Sequence, residues 1–143
     1  MKTDLIAQAS IEIMTDIISV WHALVDPKII KEYLFGTDAS SDWKEGSRIS
    51  FKGIWDGKPY EDGGIITVIK PEETFRYTYW SSMSGTPDVE ENYANISYDL
   101  EETNSGVRLT ISQDNIQTEE ARAHSEKNWS MILKSMKKLL EKK

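Results

Sequence analysis

The sequence predicts an α+β domain in which an antiparallel sheet is covered by one long C-terminal helix. Two observations carry this. Between residues 47 and 113, five short segments alternate apolar and polar residues and are separated by turn signals. The chain then ends on NWSMILKSMKKLLEKK (128–143), where Trp129, Ile132, Leu133, Met136, Leu139 and Leu140 recur three or four residues apart as one apolar stripe. Strands with one apolar face need a cover. The last helix alone is long enough to supply it, since about 25 residues at 1.5 Å each reach roughly 37 Å.

Each element follows in order. Residues 4–14 set Ala7, Ala9, Ile11 and Ile13 against Gln8, Ser10 and Glu12, a strand with one wet face. Thr15 and Asp16 offer capping oxygens to a helical pattern carried by Ile17, Ile18, Val20, Trp21, Leu24 and Val25. Trp21 is expected to pack in the junction between the short helices and the sheet. Asp26-Pro27 interrupts the pattern, and proline suits the first turn of a second short helix over 28–34, ended by Gly36. TDASSDWKEG (37–46) reads as a polar loop around Trp43. In 47–55, Ile49, Phe51, Gly53 and Trp55 share a face, and Asp56-Gly57 signals a hairpin.

A β-branched run at 63–70 stops at Pro71. In 74–80, Phe75, Tyr77 and Tyr79 face one way and Arg76, Thr78 and Trp80 the other; reversing that register would bring Arg76 inside and favour an anionic ligand. SSMSGTPDVEE (81–91) is a longer loop. Residues 93–102 alternate Ala94, Ile96, Tyr98 and Leu100 against Asn95, Ser97, Asp99 and Glu101, and 107–113 place Val107, Leu109 and Ile111 on one face. Thr118 opens the last helix, with Glu119 and Glu120 where the helix dipole favours negative charge. The expected order is β-α-α-β-β-β-β-β-α, one domain over 1–143.

Composition narrows the function. A formal net charge of −7 argues against nucleic acid and anionic membrane surfaces as partners. Lys137, Lys138, Lys142 and Lys143 suit the C-terminal end of a helix dipole instead. Without cysteine there are no disulfides, thiolate metal sites or cysteine nucleophile. His22 and His124 stand far apart, outside any metal-ligand spacing, and neither has an evident partner for acid–base work. Asp4, Asp16, Glu61, Asp62, Glu90 and Glu91 fall near loops or element ends and read as scattered surface carboxylates. No cofactor, metal or catalytic set is expected. With no leader and no run of about 20 apolar residues, no membrane insertion and a cytoplasmic location are expected.

Several stretches resemble a known family. ASIEIMTDIISVWHALVDPKIIKEYLFG (9–36) carries Val20-Trp21, Leu24-Val25-Asp26-Pro27 and Tyr33-Leu34-Phe35-Gly36. GSRISFKG (46–53), VIKPEETFRYTYW (68–80), GVRLTISQDNI (106–116) and Trp129 continue the likeness. The chain resembles the START-like (SRPBCC) superfamily. More narrowly it is similar to small bacterial proteins related to the C-terminal domain of the activator of the heat-shock-protein-90 ATPase. The resemblance implies a helix-grip fold, with a curved antiparallel sheet wrapped around the C-terminal helix. It also implies a cavity between them for an apolar, aromatic or lipid-like molecule, and a stress-response setting. Where members usually carry tryptophan, this chain has Tyr33-Leu34-Phe35, so its cavity mouth should differ in shape.

On this reading the expected ligand-binding residues are Tyr33, Phe35, Trp43, Phe51, Trp55, Tyr77, Tyr79, Trp80, Gln113, Trp129 and Leu133. Gln113 continues the inward Leu109-Ile111 face and could hydrogen-bond a ligand, or lie solvated at the rim. Arg48, Arg76 and Arg108 are expected outside. Two other functions remain open: regulation of a chaperone ATPase by protein contact, and a cyclase- or hydrolase-like enzyme using the same cavity.

Overall fold

The structure, a computed structural model, describes residues 5–82 and 84–141, with Trp55 described by its backbone alone. Asp4, Lys142 and Lys143 of the expected elements lie outside the described residues. In chain order the elements are β1 (Leu5–Ile13), α1 (Ile17–Val25), α2 (Pro27–Tyr33), β2 (Asp38–Ser41), β3 (Arg48–Trp55), β4 (Lys58–Lys70), β5 (Thr74–Tyr79), a short 3-10 turn (Glu90–Asn92), β6 (Ala94–Glu102), β7 (Val107–Ile116) and α3 (Glu119–Leu140). The strands form one antiparallel sheet in the order β1-β7-β6-β5-β4-β3-β2. With α3 laid across it and the two short helices near one end, this is the helix-grip fold.

The sheet has one strand more than the sequence suggests. Residues 37–46 contain β2, which pairs with β3 from Asp38↔Lys52 to Ser41↔Ile49. Its lone buried apolar side chain, Ala39, gives too little alternation to read. β4 also starts earlier than residue 63, because the ladder continues across the Asp56-Gly57 hairpin to Trp55↔Lys58.

One irregularity of the sheet lies in β4. Its first half pairs with β3 and its second half with β5, and the register to β5 slips by one residue between Ile66 and Val68. A bulge of this kind bends a strand. At the bend, backbones approach so closely that a Cβ on Gly64 would lie 1.9 Å from the Thr78 carbonyl oxygen, and one on Gly63 2.3 Å from that of Ile49. Only glycine fits there.

Capping fixes the helices. The Asp16 carboxylate accepts from Ser19 N at 2.7 Å and that of Asp26 from Lys28 N at 2.9 Å, while the Thr118 hydroxyl accepts from Ala121 N at 3.0 Å. α3 has 22 residues, about 33 Å of rod. It is strapped to the edge strand β1: Lys137 Nζ donates to the Glu12 carbonyl at 2.8 Å, Met14 N to Glu141 at 2.7 Å, and Gln8 N to Glu126 at 3.0 Å. These contacts occupy backbone groups that an edge strand would otherwise leave free.

The core fills one end. Phe75 on β5 meets Trp21 of α1 edge-on at 6.3 Å between ring centres, and Trp43 from the loop after β2 at 6.2 Å. Leu133, Met136 and Leu140 press the C-terminal half of α3 into this end, with exposures of 1%, 0% and 7%.

Candidate functional site

The N-terminal half of α3 does not reach the sheet in the same way. From Glu119 through Ile132 no side chain of the helix is fully buried. Beneath it lies a cavity of about 390 Å³. Trp129 and Ile132 roof it, with Ser125 and Asn128 at its edge. Phe51, Tyr77, Tyr79, Tyr98 and Gln113 line it from the sheet, each at an inward position of its strand. Leu34, Phe35 and Thr37 close one side from the turn after α2, and Ile54, Tyr60 and Asp62 another from the β3–β4 hairpin. Volume and aromatic content both suit a small-molecule site, which typically spans roughly 300–1,000 Å³.

Four polar groupings hold the wall. The Trp129 indole Nε1 donates to Gln113 Oε1 at 2.9 Å, tying roof to floor. The Tyr77 and Tyr98 hydroxyls lie 3.2 Å apart, with their rings stacked at 6.0 Å. The Tyr79 hydroxyl donates to Asp62 Oδ2 at 2.8 Å, and Ser82 N donates to Asp62 Oδ1 at 3.0 Å. The Tyr60 and Thr37 hydroxyls meet at 2.6 Å, and Thr37 also donates to the Leu34 carbonyl at 2.8 Å.

Burial makes these phenols poor acids. It pushes Tyr98 up to about 12 and Tyr77 well above the ordinary phenol value; Tyr79 is raised too, by burial and then by the adjacent Asp62 carboxylate. All three stay neutral donors at physiological pH.

The sequence-derived candidates divide. Phe35, Phe51, Tyr77, Tyr79, Gln113 and Trp129 meet at the cavity. Tyr33, Trp43, Trp80 and Leu133 stand elsewhere. Tyr33 is buried between the short helices, its hydroxyl donating to the Ala23 carbonyl at 2.7 Å. Trp43 packs on Phe75, and Leu133 belongs to the closed core. Trp80 lies on the outer face against Tyr93, because it sits one position past inward-facing Tyr79. The Trp55 side chain lies outside the described ones. Arg76 points outward beside Asp99 at 3.8 Å, so the reversed register does not occur.

Sequence reasoning missed Asp62, Tyr60, Thr37 and Tyr98. One of them had a usable signal. Tyr98 follows Ala94 and Ile96 on the inward face. Asp62 sits opposite Phe51 in the β3–β4 ladder and so shares its face. Tyr60 pairs with Gly53, whose missing side chain gives the ring its place: a Cβ there would lie 2.5 Å from the Tyr60 hydroxyl. Phe35 reaches the mouth from a left-handed backbone, φ +55°, and stays 65% exposed. For a bulky residue this is an unusual conformation, of the kind that gathers at functional sites.

Among the described residues, no group of three His, Asp or Glu could hold a metal ion, and no helix is long and apolar enough to cross a membrane.

Comparison with known proteins places this geometry. A family model described as "Activator of Hsp90 ATPase homolog 1-like protein" matches residues 15–141. The solution structure of ChR145 from Cytophaga hutchinsonii is similar at 46% identity and a TM-score of 0.86, over 99% of this chain and 97% of that one. The fold is shared with the Aha1 dimer from Colwellia psychrerythraea, at 21% identity, TM-score 0.76 and 96% of both chains. CalU16 from Micromonospora echinospora shares it at 15% identity and TM-score 0.72, over 96% of this chain and 83% of that one. No curated protein matches the chain.

Proposed function

The chain belongs to the family of Activator of Hsp90 ATPase homolog 1-like proteins, and from this premise we propose that it binds a small apolar or aromatic molecule between the sheet and α3. The observation that carries the reading is the cavity itself, aromatic on most sides and roofed by Trp129. A planar guest would be held mainly by burial, at about 25 cal/mol per Å² of apolar area removed from water.

The polar groups would orient the guest. Two hydroxyls joined by one hydrogen bond use one of their two protons, so the Tyr77–Tyr98 pair keeps a second proton for a ligand carbonyl, ether or hydroxyl oxygen. Both phenols resist ionisation, so that donor persists across the physiological range.

A thermal-shift screen of two- and three-ring aromatic compounds tests this. A binder present at a hundred times its Kd should stabilise the protein by about 2.7 kcal/mol, and the shift should grow with concentration. A broad aromatic set that leaves both the melting temperature and the tryptophan emission unchanged would remove the reading. A second reading, regulation of a chaperone ATPase by protein contact, is favoured by the family description alone. Its check is a change in the turnover of a purified Hsp90-type ATPase when the protein is added.

A further inference from the structure

We infer that the cavity selects organic monocations, with the ammonium of an aromatic amine seated at Asp62 and its ring system against the tyrosine faces. The inference rests on the reading of this cavity as a ligand site.

Among the described residues, the cavity wall contains no lysine, arginine or histidine, and Asp62 is its one acidic side chain. Asp62 is 8% exposed. It receives three neutral donors: Ser82 N at 3.0 Å and Ser82 Oγ at 3.4 Å on Oδ1, and the Tyr79 hydroxyl at 2.8 Å on Oδ2. Donors arranged around both oxygens are the pattern an ionised carboxylate requires. Among the described residues, none forms an ion pair with it. Lys52 pairs instead with exposed Glu61 at 3.9 Å, and Arg76 with Asp99 at 3.8 Å.

A carboxylate withdrawn from water without a cation is costly. It accepts about four hydrogen bonds, so Oδ2, which holds one, has room for an ammonium donor. The rings around it add to the same preference. Tyr79 and Phe51 lie 6.2 Å apart, and Tyr77 is within 5.7 Å of Phe51. Aromatic faces carry negative charge density and attract a nearby cation. The net charge of −7 raises the local concentration of cations and repels anions during encounter. An anionic guest of the same shape would meet a carboxylate and no compensating base.

Three probes on one framework separate charge from shape: 1-naphthylmethylamine, 1-naphthalenemethanol and 1-naphthoate, titrated by calorimetry at pH 7 in physiological salt. The amine should bind tightest and the carboxylate weakest, with a ratio of at least about tenfold between them. In Asp62→Asn the amine's advantage over the alcohol should vanish. Equal affinities for all three, or tightest binding of the carboxylate, would overturn the inference while leaving an aromatic-binding cavity in place. Binding by none would overturn both. If Asp62→Asn does not fold, the wild-type series still decides. So does an intermolecular NOE from the amine's methylene to the Tyr79 ring: its presence supports the seat at Asp62, and methylene contacts confined to other residues contradict it.

Discussion

The two halves of α3 meet the same sheet differently. The C-terminal half presses Leu133, Met136 and Leu140 into a closed core under the short helices, with Trp21, Trp43 and Phe75 filling the end. The N-terminal half stands over a cavity and meets its floor at Trp129, which donates to Gln113 and stands edge-on to Tyr98 at 6.2 Å between ring centres. Dense packing at one end supplies stability, and the other end leaves an unfilled volume of about 390 Å³ under the helix. What prevents collapse there is shape. Tyr77 and Tyr98 are propped against each other, and Tyr60 lies over Gly53 against Thr37.

The sharpest way to break this comparison is to cut both halves of the helix alike. Leu133→Ala or Met136→Ala should cost about 2–5 kcal/mol, as truncations in dense cores do. Ile132→Ala, next to Leu133 in sequence but on the roof of the cavity, should cost about 1 kcal/mol or less, in proportion to its partial burial. Urea melts measure both; equal losses would mean that the helix is packed evenly along its length.

A smaller effect is expected at the polar tie. Gln113→Leu removes the acceptor of the Trp129 indole, and stranding a partly buried donor should cost about 1–3 kcal/mol. Trp129 emission should shift with it, and ligand affinity should fall more than stability does. A variant that binds normally would show that the tie positions nothing.

The fold was legible in the sequence wherever alternation was strict. β5, β6 and most of β7 put the expected residues inside, and the stripe from Trp129 to Leu140 is the face that α3 turns to the sheet. Gln113 was readable for the same reason, and its alternation ends only where Asn115 turns left-handed, φ +55°. The cavity's second wall was not legible. KPYED carries polar residues and looks like loop, and its strand exists because the hairpin register extends through it. Asp62 therefore reads as a surface carboxylate until its partner Phe51 is known. Trp43 and Trp80 show the converse. Aromatic type suggested a site, but a tryptophan packs equally well on a core or an outer face, and only position decides.

The smallest expected effect distinguishes the strap from the cavity by pH. Hydrogen bonds from Thr103 and Ser105 hold Glu12 below the usual carboxylate value, and Lys137 with the Met14 amide does the same for Glu141. A carboxyl with a lowered folded value stabilises fully above its unfolded value, about 4.3, and that contribution is lost as pH falls through the lower folded value. The tie from the Glu12 carboxylate to the β6–β7 turn and the Glu141 end of the α3–β1 strap should therefore loosen below about pH 4. The cavity phenols act at the other limb. Their raised values stabilise below the unfolded value of about 10, and that contribution is lost as pH rises through the folded ones. Melting temperature against pH should fall at both limbs, and Glu12→Gln should flatten only the acid one.

The most direct test follows the Trp129 indole N–H by NMR while 1-naphthalenemethanol is titrated in. The expected result is a saturable shift of that signal together with the Gln113, Tyr77 and Tyr98 amides, while those of Leu133 and Met136 stay in place. Shifts centred on Leu133 and Met136, or none at any concentration the probe reaches, would contradict the division of the helix into a clamped half and a binding half.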